Sequence, residues 1–502
     1  MKLSDESPAG DSSATFIFVH QNRITLSSIK SFSLLILFSI LFLCSFSQRL
    51  KVSGDHIVNQ KGETVYLRGF GLGGMLHMEN FIDGYPGNEE AMREGLKKVM
   101  GEKKYNLYFD NFLKSYFTEQ DAIYIHSLGL NLVRIPINYH LFEDDMHPRV
   151  IKQGAFAYLD SVIARCARHQ IYTIIDLHAL PGSQNQHWHS DNPTHVAFFW
   201  VHKDFQDRAL FLWETIANRY KNQQWVAGYD LINEPADPTG EKLFPYYKRL
   251  RDGIRSVDPN HILFLEGDRY AADFQKFTEV WDNVVYTNHD YAAPGFGTAY
   301  PGVTNLRYYD KDSIEKDFLA KSEFMLSHHV PIWVGEFGPV YTGDPAKDEM
   351  RYRVLKDQLA YYNKYKVSWC IWLYKDMGLQ AIMHQNENTP YMKLVSKFLV
   401  KKDSLGSDAW GSSDKNIRPI IAPLEEFFRT EFPTYDPYPR GQQREIALLV
   451  RNILIAEALL PEYCNLFKDL TDDQIIALAQ SFRFENYVKR ERLEDILAGR
   501  EH

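Results

Sequence analysis

The chain has 502 residues, 45% of them hydrophobic, and a formal net charge of -9 at pH 7. This length and apolar content suffice for one large hydrophobic core with an appendage, which excludes a chain disordered throughout. The acidic balance and the lack of a dense basic run argue against nucleic acid or an anionic membrane surface as partner and favour a neutral polar substrate.

The N-terminal tail, residues 1–49, contains an apolar run at 31–47 that reads SFSLLILFSILFLCSFS. The run is at the short limit of a membrane span, roughly 17–25 residues, and slightly longer than the apolar core of a typical secretion signal. A cleaved signal peptide and an uncleaved membrane anchor both stay open, with a mis-assigned start as a smaller possibility. Either main interpretation predicts that the rest of the chain is secreted or membrane-attached outside the cytoplasm.

From about residue 50 the chain alternates between short apolar, β-branched runs and amphipathic stretches of helical period. Such alternation predicts parallel strands surrounded by helices. Eight runs are present, at 65–71, 130–137, 172–179, 226–235, 261–268, 284–291, 331–338 and 368–376. They predict an α/β fold, a (β/α)8 TIM barrel over residues 50–400, with a hairpin at 50–65 that caps its lower end.

Residues 401–502 are predicted to form a C-terminal helical extension. A Ser/Gly/Asp-rich loop at 403–415 comes first, and Thr471 and Gln474 then have the spacing of a capping box that opens a helix. The extension is expected to pack against the barrel. The four cysteines show neither a disulfide framework nor metal-type spacing, and Cys166 falls on the apolar face of a predicted helix.

Polar and aromatic side chains stand toward the C-terminal ends of the predicted strands, which form the active-site face of such a barrel. They are Arg134, His178, Asn233, Glu234, His289, Tyr291, Glu336 and Trp372. Two glutamates on the fourth and seventh strands face each other across the barrel mouth. Cleavage of a glycosidic bond requires one carboxyl group that donates a proton and a second that attacks or supports the sugar carbon.

The surrounding residue types fit this chemistry. Asn233 can hydrogen-bond a sugar hydroxyl beside the scissile bond. Tyr291 and Arg134 can hold Glu336 ionised and oriented, because a nearby donor or cation lowers the pKa of a carboxyl group.

The histidines His178 and His289 are expected to bind hydroxyls of the same sugar ring. The indole of Trp372 offers a flat apolar face on which a pyranose stacks. Taken singly, a strand histidine or tryptophan is more often structural, so these assignments depend on the whole set.

The ordered strings LNLVRIP, DLH, NEP, HDY, GEFG and IWLYK resemble glycoside hydrolase family 5 over roughly residues 50–400. The resemblance implies Glu234 as acid/base, Glu336 as nucleophile and the other six strand-end residues as the substrate-binding shell. It also implies a retaining, double-displacement mechanism without metal or organic cofactor.

Two further strings, GLGGMLHMENFI at 71–82 and IDLHALPGSQN at 175–185, are similar to the exo-β-1,3-glucanase and β-glucosidase branch of that family. The similarity implies that Glu79 contacts the terminal sugar. Loops around Glu79 and Trp188 would then close a pocket, which favours exo action.

Other positions depart from that branch. Met75 stands where a tryptophan is usual, and Ala179 and Leu180 replace expected glycines. The insert at 186–192 also differs, so glucose and mannose both stay open as the sugar, as does the linkage. The insert carries His187, His189 and Asp191, which are metal-ligand types, but we interpret it as a loop that lines the substrate site.

These observations predict a β-glycosidase that is exo-acting on β-glucosides, β-glucans or related β-linked oligosaccharides. An endo-β-glycanase of cellulase or mannanase type and a β-mannosidase of the same family stay open as alternatives. A non-catalytic sugar-binding barrel is a third alternative of another class. An open cleft lined by aromatic residues would favour endo action, and absence of turnover would favour the binding barrel.

Overall fold

The computed structural model describes residues 49–292, 310–407 and 410–500. The apolar run at 31–47 lies outside these residues, so the signal or anchor stays a prediction. Within the described ranges, no helix combines the length and the apolarity that crossing a membrane requires.

The described chain begins with the predicted hairpin, β1 (Lys51–Ser53) paired antiparallel with β2 (His56–Val58). Eight parallel strands then form a closed barrel, which confirms the predicted fold class. They are β3 (Arg68–Gly71), β4 (Leu132–Asn138), β5 (Tyr172–Ala179), β6 (Val226–Asp230), β7 (Ile262–Glu266), β8 (Val284–His289), β9 (Ile332–Glu336) and β10 (Ser368–Ile371). The barrel closes where β10 pairs with β3, with Trp369 opposite Arg68.

Five strands end earlier than the sequence predicts, and in three of them a predicted site residue then lies beyond the strand. Asn233 and Glu234 follow β6, Tyr291 follows β8 and Trp372 follows β10. At Glu234 the backbone is left-handed, with φ of 43°, and Pro235 has no N–H to donate, so the ladder cannot continue there. The predicted site residues therefore stand on the segments just beyond the strands as well as on their last positions.

Inward-facing residues change character along the barrel axis. On β7, Ile262 and Phe264 point into the lower barrel, and Glu266 follows two residues later at the upper end. Leu50 and Ile57 of the hairpin pack into the same apolar cluster as the lower barrel residues. The hairpin thus covers the lower end of the barrel, and Glu266 stands toward the opposite, upper end.

Helices lie between and beyond the strands. They are α1 (Asn80–Asp83), α2 (Glu89–Met100), α3 (Glu102–Tyr116), α4 (Glu119–Ser127), α5 (Ala157–Arg168), α6 (Lys203–Tyr220), α7 (Leu243–Val257), α8 (Asp268–Ala271), α9 (Lys311–Lys321), α10 (Glu323–His328), α11 (Pro345–Lys364), α12 (Pro390–Ser404), α13 (Arg418–Glu431), α14 (Gln442–Leu449), α15 (Ala456–Asn465), α16 (Asp472–Gln480) and α17 (Glu491–Leu497). On α5 the buried side chains include Leu159, Val162 and Cys166, which confirms the helical face predicted around that cysteine.

The residues after α12 pack against the barrel helices, and we call residues 405–500 the tail. Helix α16 lies on α3, and Thr471 and Gln474 form the predicted capping box at its start. Strand β13 (Tyr487–Lys489) joins β11 (Lys375–Asp376) and β12 (Met383–Gln385) in a small sheet. Helix α12 runs through residue 400, and the predicted domain boundary there stays a prediction.

A buried ion pair stands where the barrel meets this small sheet. Lys375 Nζ lies 2.6 Å from Asp121 Oδ1, and both side chains are fully buried. Lys375→Met should lower the free energy of unfolding by about 3–5 kcal/mol, because Asp121 then keeps a buried charge without its cation. Urea unfolding measures this loss.

The control is the double variant Lys375→Met with Asp121→Asn, in which neither charge is left alone. It should recover part of the loss. A single variant as stable as the unmodified protein would show that the pair contributes nothing to stability.

Candidate active site

The upper ends of the barrel strands open into a cavity of about 220 Å³. Most of the residues predicted from the sequence line it: Glu79, His178, Trp188, Asn233, Glu234, His289, Tyr291, Glu336 and Trp372. Arg134, the remaining predicted residue, is fully buried and donates a hydrogen bond to Glu336. The structure therefore brings the whole predicted set into one site.

Arg134 is the cation around which the cavity floor is organised. Its guanidinium donates to Glu336 Oε1 at 2.5 Å and to Asn233 Oδ1 at 2.8 Å. It also contacts three buried carboxyl groups from neighbouring strands: Asp176 at 3.1 Å, Asp230 at 2.9 Å and Glu266 at 3.0 Å. One side chain thus connects β4 with β5, β6, β7 and β9.

Sequence reasoning missed these three carboxyl groups. Asp176 comes two residues before His178, and Asp230 and Glu266 are the last residues of β6 and β7. Burial raises the pKa of Asp176 to about 7, against the opposing effect of Arg134, and raises that of Asp230 well above its ordinary value. Each lies two or more residues before the end of its predicted strand, so a search for charged residues within the predicted strands would have found them.

Glu336 is held at both of its oxygens. The hydroxyl of Tyr291 donates to Oε2 at 2.8 Å, and Arg134 donates to Oε1. Burial, and then the carboxylate of Glu336, raise the pKa of Tyr291 well above its ordinary value, so the phenol stays a neutral donor. These two donors fix the orientation of the Glu336 carboxylate, as the sequence predicts.

Glu234 is held by two histidines. His289 Nδ1 lies 2.8 Å from its Oε1, and His189 Nε2 lies 3.1 Å from its Oε2. Burial alone would raise the pKa of Glu234, but hydrogen bonds from His189 and His289 outweigh burial and hold this pKa well below its ordinary range. In the free protein Glu234 is therefore ionised.

His289 carries the proton that the ionised carboxylate of Glu234 lacks. Burial would lower its pKa, but the carboxylates of Glu266 and Glu336 and the hydrogen bond to Glu234 raise it well above its ordinary value. Its Nε2 lies 3.3 Å from Glu266 Oε1, and Glu266 Oε2 accepts the backbone N–H of Glu234 at 2.6 Å. Glu266 therefore supports both members of the pair, and it also stabilises the left-handed backbone at Glu234.

A second part of the wall is neutral. Burial lowers the pKa of His178 well below its ordinary value, and its Nδ1 lies 2.7 Å from Asp176 Oδ2. Burial, and then the charges of Glu336 and Glu234, raise the pKa of Glu79 well above its ordinary value. Trp372 stacks on the His178 ring at 5.4 Å. Neutral polar groups beside a flat ring suit the hydroxyls and C–H faces of a sugar.

The insert at 186–192 forms a pinned loop over the cavity. Trp188 and His189 lie in a 3-10 turn, and Asp191 is almost fully buried behind it. Asp191 accepts hydrogen bonds from Asn88 Nδ2 and Asn138 Nδ2, at 2.8 and 2.7 Å. His189 instead engages Glu234, so the histidine and the aspartate of the insert bind separate partners.

Groups of histidine and carboxylate atoms close enough to share a metal ion occur at three places in the described residues: His77–Glu79–His178, Glu90–His140–Asp145 and Glu234–His289–Glu336. In the last of these the ligand atoms lie within 4.8 Å of one another. His289 Nδ1 and Glu234 Oε1 already form a hydrogen bond there. The cluster is thus arranged for proton sharing.

The tail supplies a cavity wall that sequence reasoning missed. It contributes Trp410, Arg440, Arg444, Ala447, Leu448 and Arg451 to the lining. The indole of Trp410 donates to Gln380 Oε1 at 3.0 Å and packs edge-on against Tyr291. The sequence predicts packing of this segment against the barrel, but no local pattern marks which of its side chains reach the cavity.

Comparison with known proteins places these features in context. Residues 97–378, more than half of the chain, match the family model described as Cellulase (glycosyl hydrolase family 5). A Beta-xylosidase from Phanerodontia chrysosporium is 45% identical over 89% of this chain and 97% of its own length. A Probable glucan 1,3-beta-glucosidase A from Emericella nidulans is 29% identical over 45% of this chain and 57% of its own length. The crystal structure of rutinosidase from Aspergillus niger has 18% identity and a TM-score of 0.48, covering 62% of this chain and 90% of that one.

The pinned loop gives a prediction about pH. His140 Nε2 lies 3.0 Å from Asp145 Oδ2, and its Nδ1 lies 3.4 Å from Asp191 Oδ2. Burial alone would lower the pKa of His140, but these two aspartates and Glu90 raise it from 6.5 to about 10. A raised pKa in the folded state means that this stabilisation is complete below about pH 6.5 and is lost as the pH rises toward 10.

His140→Gln should therefore lower the free energy of unfolding at about pH 6 by about 1–3 kcal/mol, the contribution of a charge-assisted hydrogen bond. The difference from the unmodified protein should shrink as the pH approaches about 10. Urea unfolding at several pH values measures both. A deficit that stays constant across this range would exclude His140 as the titrating group.

Proposed function

Because the chain belongs to glycosyl hydrolase family 5, we propose that it is a retaining β-glycosidase that removes terminal sugars, with Glu336 as nucleophile and Glu234 as acid/base. The proposed mechanism rests on the distance between these two carboxylates. A carboxylate oxygen of Glu234 and one of Glu336 lie within 4.8 Å of each other. Retaining enzymes hold their two carboxyl groups about 5–5.5 Å apart, whereas inverting enzymes need about 6.5–9.5 Å for an intervening water.

In the first step Glu336 attacks the anomeric carbon from the face opposite the leaving group. Tyr291 and Arg134 donate hydrogen bonds to its two carboxylate oxygens and hold it in position. The bond to the leaving oxygen breaks as that oxygen takes a proton from Glu234. The protein stores this proton in the hydrogen bond between Glu234 and His289, from which Glu234 delivers it as charge develops on the oxygen.

In the second step Glu234 accepts a proton from water, which attacks the glycosyl-enzyme and releases Glu336. Because the pKa of Glu234 is low in the free protein, its carboxylate is unprotonated and has room to accept this proton. Asn233, held by Arg134 and close to His178, can hydrogen-bond the sugar hydroxyl next to the reacting carbon.

The pocket shape supports exo action over the endo alternative. The cavity is bounded by the tail, including Trp410, and by the loop that carries Trp188. An endo-acting cleft has to stay open on these sides so that the polysaccharide chain can continue in both directions. For the terminal sugar we propose a β-xyloside first, because the relative that aligns along most of the chain is named Beta-xylosidase. A β-glucoside is the second candidate, favoured by the relatives named glucan 1,3-beta-glucosidase.

The stereochemistry of turnover tests the proposal. Early-time proton NMR with 4-nitrophenyl β-xyloside and 4-nitrophenyl β-glucoside should show the β-anomer of the released sugar first, and the faster substrate identifies the sugar. Glu336→Gly supplied with azide should form an α-glycosyl azide by single displacement. Release of the α-anomer first would contradict retention. Absence of any turnover by folded protein would favour the sugar-binding alternative.

The role of Glu234 has its own test. Glu234→Ala should reduce kcat/KM by about 10²–10⁴-fold on glycosides with poor leaving groups, which need proton donation, and far less on 4-nitrophenyl glycosides, which do not. A Brønsted series of aryl glycosides measures this difference. If both kinds of substrate lose rate equally, Glu234 is not the acid.

A further inference from the structure

Glu234 shares one of its histidine partners with a third residue. His189 Nε2 lies 3.1 Å from Glu234 Oε2, and the same nitrogen lies 2.8 Å from Asn185 Nδ2. Asn185 is fully buried, and His189 is buried at the cavity wall. One ring nitrogen therefore contacts both a carboxylate oxygen and an amide nitrogen.

Two backbone groups fix the orientation of the Asn185 amide. Its Oδ1 accepts the backbone N–H of His187 at 2.9 Å, and its Nδ2 donates to the carbonyl oxygen of Glu234 at 2.9 Å. A backbone N–H only donates and a carbonyl oxygen only accepts, so exchanging the amide oxygen and nitrogen would break both bonds. The group that faces His189 Nε2 is therefore an N–H donor.

The two neighbours of Nε2 make opposite demands on it. A ring nitrogen carries either a proton, which it donates, or a lone pair, which accepts. With a proton on Nε2, His189 donates to the ionised Glu234, but Asn185 then places its N–H against a nitrogen that has no lone pair to offer. With a lone pair on Nε2, Asn185 donates to it, but the lone pair then faces an ionised carboxylate.

The contact between His189 and Glu234 has two proton states. In the first, the proton lies on Nε2 and Glu234 is ionised. In the second, the proton lies on Glu234 Oε2, and the ring keeps its other proton on Nδ1. The hydrogen bond from His189 favours the first state and contributes to the low pKa of Glu234. Asn185 favours the second state, because its N–H then finds a lone pair on Nε2.

The other titratable rings around His189 keep one charge state. The His189 ring lies 6.1 Å from that of His178, 5.6 Å from that of His187 and 6.1 Å from that of Tyr270. Burial lowers the pKa of both histidines well below the ordinary value and raises the pKa of the tyrosine. Arg440, whose guanidinium lies 4.0 Å from the centre of the Tyr270 ring, stays charged at every assay pH. None of these four neighbours competes for the Nε2 proton.

The remaining charges around Glu234 act without Asn185. His289 Nδ1 lies 2.8 Å from Oε1, the oxygen opposite the one that faces His189. A carboxylate oxygen of Glu336 lies within 4.8 Å of one of Glu234, and Glu79 lines the same cavity. These groups are present whether or not the Asn185 amide is, so they form the background against which Asn185 acts.

We propose that Asn185 is a positioning residue for the acid step of the reaction. By donating to His189 Nε2, it weakens the hydrogen bond from His189 to the ionised Glu234 and so favours the protonated Glu234 that cleaves the glycosidic bond. This inference rests on the proposed β-glycosidase function and adds to it a residue that acts through His189.

The test compares a substrate that needs the acid with one that does not. These are the methyl and the 4-nitrophenyl β-glycosides of the preferred sugar, and the readout is the ratio of kcat/KM for the nitrophenyl glycoside to that for the methyl glycoside. Asn185→Ala should raise this ratio about tenfold at neutral pH, because one hydrogen bond no longer favours the protonated Glu234. The excess should shrink as the pH rises, since His189 then loses its Nε2 proton in both proteins.

A double variant separates an effect through His189 from an effect on the loop. Asn185→Ala also removes the bonds to the backbone of His187 and Glu234. In the His189→Phe background, Asn185→Ala should change the ratio by less than about twofold, because the nitrogen through which it acts is gone. The matched control is Asn192→Ala in the same loop. Asn192 donates to the backbone oxygens of Asn185 and Val196, and its loss should leave the ratio unchanged.

The outcomes distinguish the inference from the proposed function. If the unmodified folded protein hydrolyses neither glycoside, the β-glycosidase function is wrong. The function stands and the role of Asn185 is wrong if Asn185→Ala slows both substrates equally, if its effect is constant with pH, or if that effect persists in the His189→Phe background. Asn185→Asp, which accepts the Nε2 proton where asparagine donates, should raise the ratio at least as far, so it decides if the alanine variant fails to fold.

Discussion

The site depends on the buried guanidinium of Arg134. A cation removed from water is unstable unless anions surround it, and four neighbouring strands supply those carboxyl groups. The same hydrogen bonds set the positions of Glu336 and Asn233 directly. They set Glu234 indirectly, because Glu266 accepts its backbone N–H. The spacing of the two glutamates therefore follows from how one arginine is neutralised.

The balance of charge around Arg134 also affects the pKa values of the neighbouring groups. One cation cannot balance four anions in a dry interior, and burial raises the pKa values of Asp230 and Glu79 well above their ordinary values. His289 takes up a further positive charge among Glu234, Glu266 and Glu336. Glu234 and His289 form a pair whose proton can move to either partner. In the free protein the proton of this pair lies on His289, because the pKa of Glu234 is lowered and that of His289 is raised.

The barrel and most of the site could be predicted because both follow local rules. Apolar runs in the sequence indicate the strands. Burying a glutamate or an arginine at a strand end costs free energy, so Arg134, Glu234 and Glu336 indicated a functional site. Asp176, Asp230 and Glu266 were not predicted, because each lies two or more residues before the end of its predicted strand. Arg440 and Arg444 could not be found in this way, since their place at the cavity depends on the tertiary path of the tail.

The barrel and the tail contribute different side chains to the cavity. Carboxyl groups gather at the floor, and Arg440 and Arg444 of the tail line the wall. The strand ends thus supply the two glutamates, and the tail supplies part of the wall around them. A change in the tail can therefore alter substrate preference without moving Glu234 or Glu336.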